Sequence, residues 1–170
     1  MSLKRKMLPI GVENFEKLRR NDMYYVDKTE MISDLIMNHG DANLFTRPRR
    51  FGKTLTMDML KTFFEIGQDA SLFDGLTISS HSDICEKYQN KYPVVFISLK
   101  GATGSTYEKA DSMIKQLVAE EYQRHSYLAD SDILDSIEKD QFNRIRSISL
   151  NEGDLENSLR TLTRLLCKHH

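Results

Sequence analysis

Apolar positions recur at three- and four-residue spacing over several stretches of the chain, and that period predicts amphipathic helices. Met31, Ile32, Leu35 and Ile36 mark one helix. Asp27 stands at its head with Glu30 three residues on, in the manner of a capping box, and Gly40 is placed to stop it. A second helix is expected from Lys53 to about Ile66, with Met57, Leu60, Phe63 and Phe64 on its apolar face and Gly67 after it. A short helix is expected near 82–89. A long one over 106–127 carries a stripe of Tyr107, Ala110, Met113, Ile114, Leu117, Val118 and Tyr122. The charged stretch 130–146 reads as helical, with Ile133, Leu134 and Ile137 inward. Asn151 is placed to cap a last helix bearing Leu155, Leu159, Leu162 and Leu166. Nearer the start, 8–25 reads as irregular to partly helical, with Phe15 and Leu18 on one face.

Two stretches break this period. Residues 42–46 form a short, mostly apolar run that predicts a buried strand. Pro93, Val94, Val95, Phe96, Ile97, Ser98 and Leu99 are apolar on both alternating faces, as in a central parallel strand. Strand, turn, helix and strand make a βαβ crossover, so the expected fold class is α/β with a parallel sheet. No repeats or linkers divide the chain, which reads as one domain over residues 1–170.

Composition narrows the classes. Hydrophobic residues make up 39% and charged residues 29%, which argues for a globular domain rather than disorder. The net charge is -1, so attraction to phosphate or nucleic acid has to be local. No apolar run approaches the roughly 18 residues of a membrane span, and no signal-peptide core follows the basic start. Cys85 and Cys167 lie far apart in no metal-ligand spacing, which suits reduced thiols in the cytoplasm.

The chemistry concentrates in one stretch, Leu44-Phe45-Thr46-Arg47-Pro48-Arg49-Arg50-Phe51-Gly52-Lys53-Thr54-Leu55. A basic turn leads into Gly-Lys-Thr at the head of a helix, close to the phosphate-binding pattern G-x-x-x-x-G-K-[ST]. Arg47 occupies the first glycine's place, and Pro48 biases it toward extended backbone. Phosphate oxygens need converging N–H donors and compensating charge, which a tight loop entering a helix supplies. By position, the amides of Arg49, Arg50, Phe51, Gly52, Lys53 and Thr54, through to Leu55, would wrap the phosphates of ATP. The Lys53 ammonium would reach them, and the Thr54 hydroxyl would take one site on Mg²⁺.

That stretch resembles the AAA-ATPase-like family of bacterial P-loop proteins, as do Leu8-Pro9-Ile10-Gly11 through Phe15 and Tyr25-Val26-Asp27-Lys28-Thr29. The arginine-rich loop without its first glycine is the family's own pattern. The likeness is specific over about residues 8–66 and looser beyond. It implies a P-loop NTPase-like three-layer sandwich, incomplete here, with ATP and Mg²⁺ as ligands. Family members often continue into a restriction-endonuclease-like nuclease domain, which would bring nucleic acid as a partner; nothing in this chain reads as one. A membrane partner is not expected, and an oligomer is compatible with the pattern.

An ATPase of this kind also needs an acidic residue at the end of a second strand. The 93–99 run ends in Lys100-Gly101, and no other apolar run ends in Asp or Glu. The expectation is therefore a fragment that stops short of that acid and hydrolyses little. Asp27-Lys28-Thr29 has two readings, helix capping and nucleotide contact. His39, His81 and His125 show no ligand spacing, Glu120-Glu121 reads as a solvated pair, and His169-His170 carries no assigned role. The alternatives are a non-catalytic nucleic-acid-binding or scaffold domain using the basic loop, and a small-molecule phosphotransferase.

Overall fold

The computed structural model describes residues 6–38, 40–48, 50–102 and 106–170. The chain forms two compact units, Met1–Val94 and Val95–His170. Seven α-helices are present among the described residues. The first unit holds α1 (Phe15–Arg20), α2 (Glu30–Asn38), α3 (Lys53–Phe64) and α4 (Ser82–Tyr88). The second holds α5 (Tyr107–Arg124), α6 (Ser136–Arg146) and α7 (Glu152–His169).

The parallel-sheet expectation is overturned, and with it the three-layer sandwich. Among the described residues there is no strand, only one isolated parallel bridge between Glu65 and Tyr92. Its bonds run from Ile66 N to Tyr92 O (3.0 Å) and from Tyr92 N to Phe64 O (2.9 Å). Pairing goes no further because a ladder needs a second chain with free carbonyls, and the next segment meets a side chain instead. The Phe96 amide donates to the Glu121 carboxylate at 2.8 Å. Residues 93–97 are only half-buried rather than enclosed on both faces. Residues 43–46 are likewise unladdered, and Leu44 is 88% exposed. An apolar run supplies β propensity, but a strand also requires a partner.

The core of the first unit gathers around Phe15, Ile32, Met59, Phe63, Phe73 and Ile78. The Phe73 ring lies 5.0 Å from Phe15 and 5.3 Å from Phe63. Three-turn α3 supplies Met59, Leu60 and Phe63 to this core, while Met57 faces outward at 41% exposure. The apolar face is therefore rotated from the expected one. Asn14 caps α1 by accepting from Lys17 N, and the Phe15 amide donates to Asp58 Oδ2 at 2.6 Å. This last bond fixes the start of α1 against the first turns of α3.

In the second unit α5, α6 and α7 pack around Tyr122, Phe142, Ile145, Leu162 and Leu165. Capping boxes open two of these helices: Asp135 with Glu138 for α6, and the expected Asn151, with Asp154, for α7. The inward face of α6 is Phe142 and Ile145; Ile133 and Ile137 are exposed, and only Leu134 of the expected trio is buried. Leu159 of α7 is exposed too, with Leu165 buried in its stead. The α5 stripe is buried only toward its end, at Val118 and Tyr122. No helix among the described residues is long and apolar enough to cross a membrane.

Candidate functional site

The basic loop turns into α3 through two left-handed residues, Arg50 at φ 68° and Gly52 at φ 74°. That region is free for glycine but costs an L residue about 1 kcal/mol or more. Arg47 keeps a negative φ before Pro48, so the left-handed turn begins three residues nearer the helix than the absent glycine would place it. Gly52 is the N-cap of α3 and brings no capping side chain. The first intrahelical bond, Thr56 N to Gly52 O, is 2.9 Å. The amides ahead of it are those that a helix cannot satisfy internally, and they sit at the positive end of the helix dipole.

Lys53 folds back over this turn. Its ammonium donates to the carbonyl of Arg47 and, at 3.1 Å, to that of Pro48. The Arg47 and Arg50 side chains are exposed and have no ion pair among the described residues. Phe51 is 61% exposed, whereas Leu55 packs into the core of the first unit. Thr54 is half-buried at the start of α3, its hydroxyl without a hydrogen bond among the described residues. Arg49 and His39 lie outside the described residues.

Lys28 also stands at this loop. Its Nζ lies 3.4 Å from the Phe51 carbonyl oxygen. It is 3.5 Å from the point that a Cβ on Gly52 would occupy. Its neighbours on either side are held firmly. Asp27 accepts four hydrogen bonds, from Thr29 N (2.8 Å), Thr29 Oγ1 (2.7 Å), Thr77 N (2.7 Å) and Thr77 Oγ1 (2.8 Å). Fully buried Thr29 in turn accepts from Ile78 N at 3.1 Å. Burial works to raise the Asp27 pKa, but the bonds from Thr29 and Thr77 outweigh it and hold the carboxyl below its usual range. The expected capping box does not form. Asp27 makes a local turn with Thr29 and a long-range tie to Thr77, while Glu30 faces His81 at 3.1 Å.

A buried charged cluster in the second unit stands where the sequence suggests solvated carboxylates. Glu121 is 3% exposed and accepts from Phe96 N, from Arg124 Nη1 at 2.8 and 2.7 Å, and faces His125 Nε2 at 3.3 Å. Desolvation pushes its pKa up, yet the bonds from His125, Phe96 and Arg124 prevail and lower it. It is a satisfied structural carboxylate and not a solvated one. The only local signal was the i, i+3 and i, i+4 spacing to Arg124 and His125. His169 and His170 meet Ser131 and Tyr127 at 2.8 and 3.1 Å.

A protein-family model described as "Predicted AAA-ATPase" matches residues 9–169. The chain belongs to that family. It is also 36% identical over 117 residues to a protein of Azotobacter chroococcum mcd 1 named "Uncharacterized protein in vnfD 5'region". That match takes in 68% of this chain and 21% of the Azotobacter protein, so the chain spans about a fifth of that protein's length. No solved structure matches. The AAA-ATPase-like family suggests use of a nucleotide and a metal. The residues present fit a phosphate group: cations, a bare glycine and helix-start amides meet at one turn. For a metal they offer less. No group of three or more His, Cys, Asp or Glu is arranged to hold an ion among the described residues. Asp58, the nearest acid along α3, is engaged by the Phe15 amide.

Proposed function

We infer that this AAA-ATPase-like chain binds ATP with its phosphates on the Arg47–Leu55 loop. The observation that carries the reading is the double left-handed turn at Arg50 and Gly52, with Lys53 folded onto the carbonyls of the same loop. A phosphate is a better acceptor for the Lys53 ammonium than two amide carbonyls, because it adds the attraction of a full opposite charge to the hydrogen bond. The backbone amides from Arg50 to Thr54 would supply the remaining donors. Thr54 offers one hydroxyl to a phosphate-bound Mg²⁺, which would neutralise phosphate charge there. What the nucleotide drives belongs to the whole protein of which such loops are part.

Calorimetric titration of MgATP into the chain and into Lys53→Ala tests this reading. Binding that the substitution weakens roughly ten- to hundredfold, with helicity kept, supports it. A second reading draws on the exposed Arg47 and Arg50, without an ion pair among the described residues: contact with a nucleic-acid backbone. It predicts binding to a DNA or RNA oligonucleotide that falls steeply with salt and is indifferent to ATP.

A further inference from the structure

Lys28 is twenty-five residues before Lys53 in sequence, yet its Nζ stands over the same turn. Two features of that placement matter. The backbone on both sides is locked by the Asp27–Thr29–Thr77 bonds and by the buried Thr29 hydroxyl. The ammonium itself is held by one backbone carbonyl at 3.4 Å, beyond the ordinary N–H···O range, and has no ion pair among the described residues. A fixed stem with a weakly engaged charge is poised to exchange its acceptor. The absent side chain of Gly52 leaves the space between that charge and the loop open. Lys53 rests on the carbonyls of Arg47 and Pro48, and Lys28 on that of Phe51, so two ammonium groups rest on carbonyls of the same loop.

We propose that Lys28 is a second phosphate-binding cation of this site, joining Lys53 on the polyphosphate of a nucleoside di- or triphosphate. This rests on the reading of the loop as the nucleotide site. Asp27 is then a positioning residue, and its carboxylate is already saturated by Thr29 and Thr77 rather than offered to the ligand.

MgATP titrations of the whole chain, Lys53→Ala, Lys28→Met and Lys28→Arg separate the possibilities, with helicity and thermal midpoint measured for each. Lys28→Met should weaken ATP binding about tenfold or more, the size of one charge-assisted hydrogen bond, with the midpoint unchanged. Lys28→Arg should restore most of that loss, because it returns the charge. If Lys53→Ala loses ATP while Lys28→Met binds as the parent does, the proposal falls and the loop reading stands. If Lys53→Ala binds as the parent does, or the parent does not bind, the loop reading falls and the proposal with it. A Lys28→Met loss that tracks a lowered midpoint and that arginine does not rescue makes Lys28 a strut of the loop and overturns the proposal.

Discussion

Removing the Asp27 carboxylate should loosen the first unit from within. Asp27→Ala deletes four hydrogen bonds that join the turn before α2 to the turn at Thr77. A bond to a charged group is worth about 1.5–3 kcal/mol, but the four share one carboxylate and do not add. Thr77 is exposed, so water can replace its two bonds at little cost. Thr29 is fully buried, and its amide is left unsatisfied. The sum is a loss of about 3 kcal/mol. For a unit of this size that lowers the thermal midpoint by roughly 12–24 °C. Asp27→Asn should lose about half as much, since one oxygen still accepts from Thr29 while the amide nitrogen faces the donors of Thr77. Because the folded pKa is depressed, the carboxylate's contribution is present above the unfolded value of about 3.9 and is lost as pH falls through the folded one. The gap between parent and Asp27→Ala should therefore narrow in acid below about pH 4. Hydrogen exchange over 25–38 and 72–82, with thermal unfolding by circular dichroism, reads both effects. A variant within about 1 kcal/mol of the parent, with unchanged protection at Thr29 and Thr77, refutes the clamp.

Glu121→Ala should destabilise the second unit by about 3–5 kcal/mol, because it removes the buried carboxylate that the Phe96 amide, Arg124 and His125 share. Loss of exchange protection confined to residues 95–170 checks this. Glu121 also has a depressed pKa, so its contribution holds above about pH 4.3 and disappears in stronger acid. Arg50→Gly relieves a left-handed arginine and should raise thermal stability by up to about 1 kcal/mol. A drop in midpoint would mean that the arginine side chain holds the loop.

The local features were legible and the long-range ones were not. The head of α3 at Gly52-Lys53, the Asn151 cap and the burial of Phe15 and Leu18 each follow from signals within a few residues. The two expected strands failed because alternation and β-branched residues state a preference, while pairing depends on a partner elsewhere in the chain. The Phe96 amide went to Glu121, twenty-five residues away. Asp27 looked like a cap because only Glu30 was in view, whereas its second oxygen is taken fifty residues on by Thr77. Helix faces shifted by a residue or two for a related reason. Met57 and Met59 are equivalent in hydrophobicity, and tertiary packing alone chose Met59. At the loop, the Gly-Lys-Thr motif was plain, but neither the left-handed Arg50 nor the approach of Lys28 has a local signature.

On this reading the turn ahead of α3 holds the phosphates of ATP through Lys53. Isothermal titration of MgATP into the parent chain and Lys53→Ala, at matched helicity, is its most direct test. The parent should bind saturably, and the variant with a roughly ten- to hundredfold weaker affinity. Equal affinity in the two proteins would contradict it.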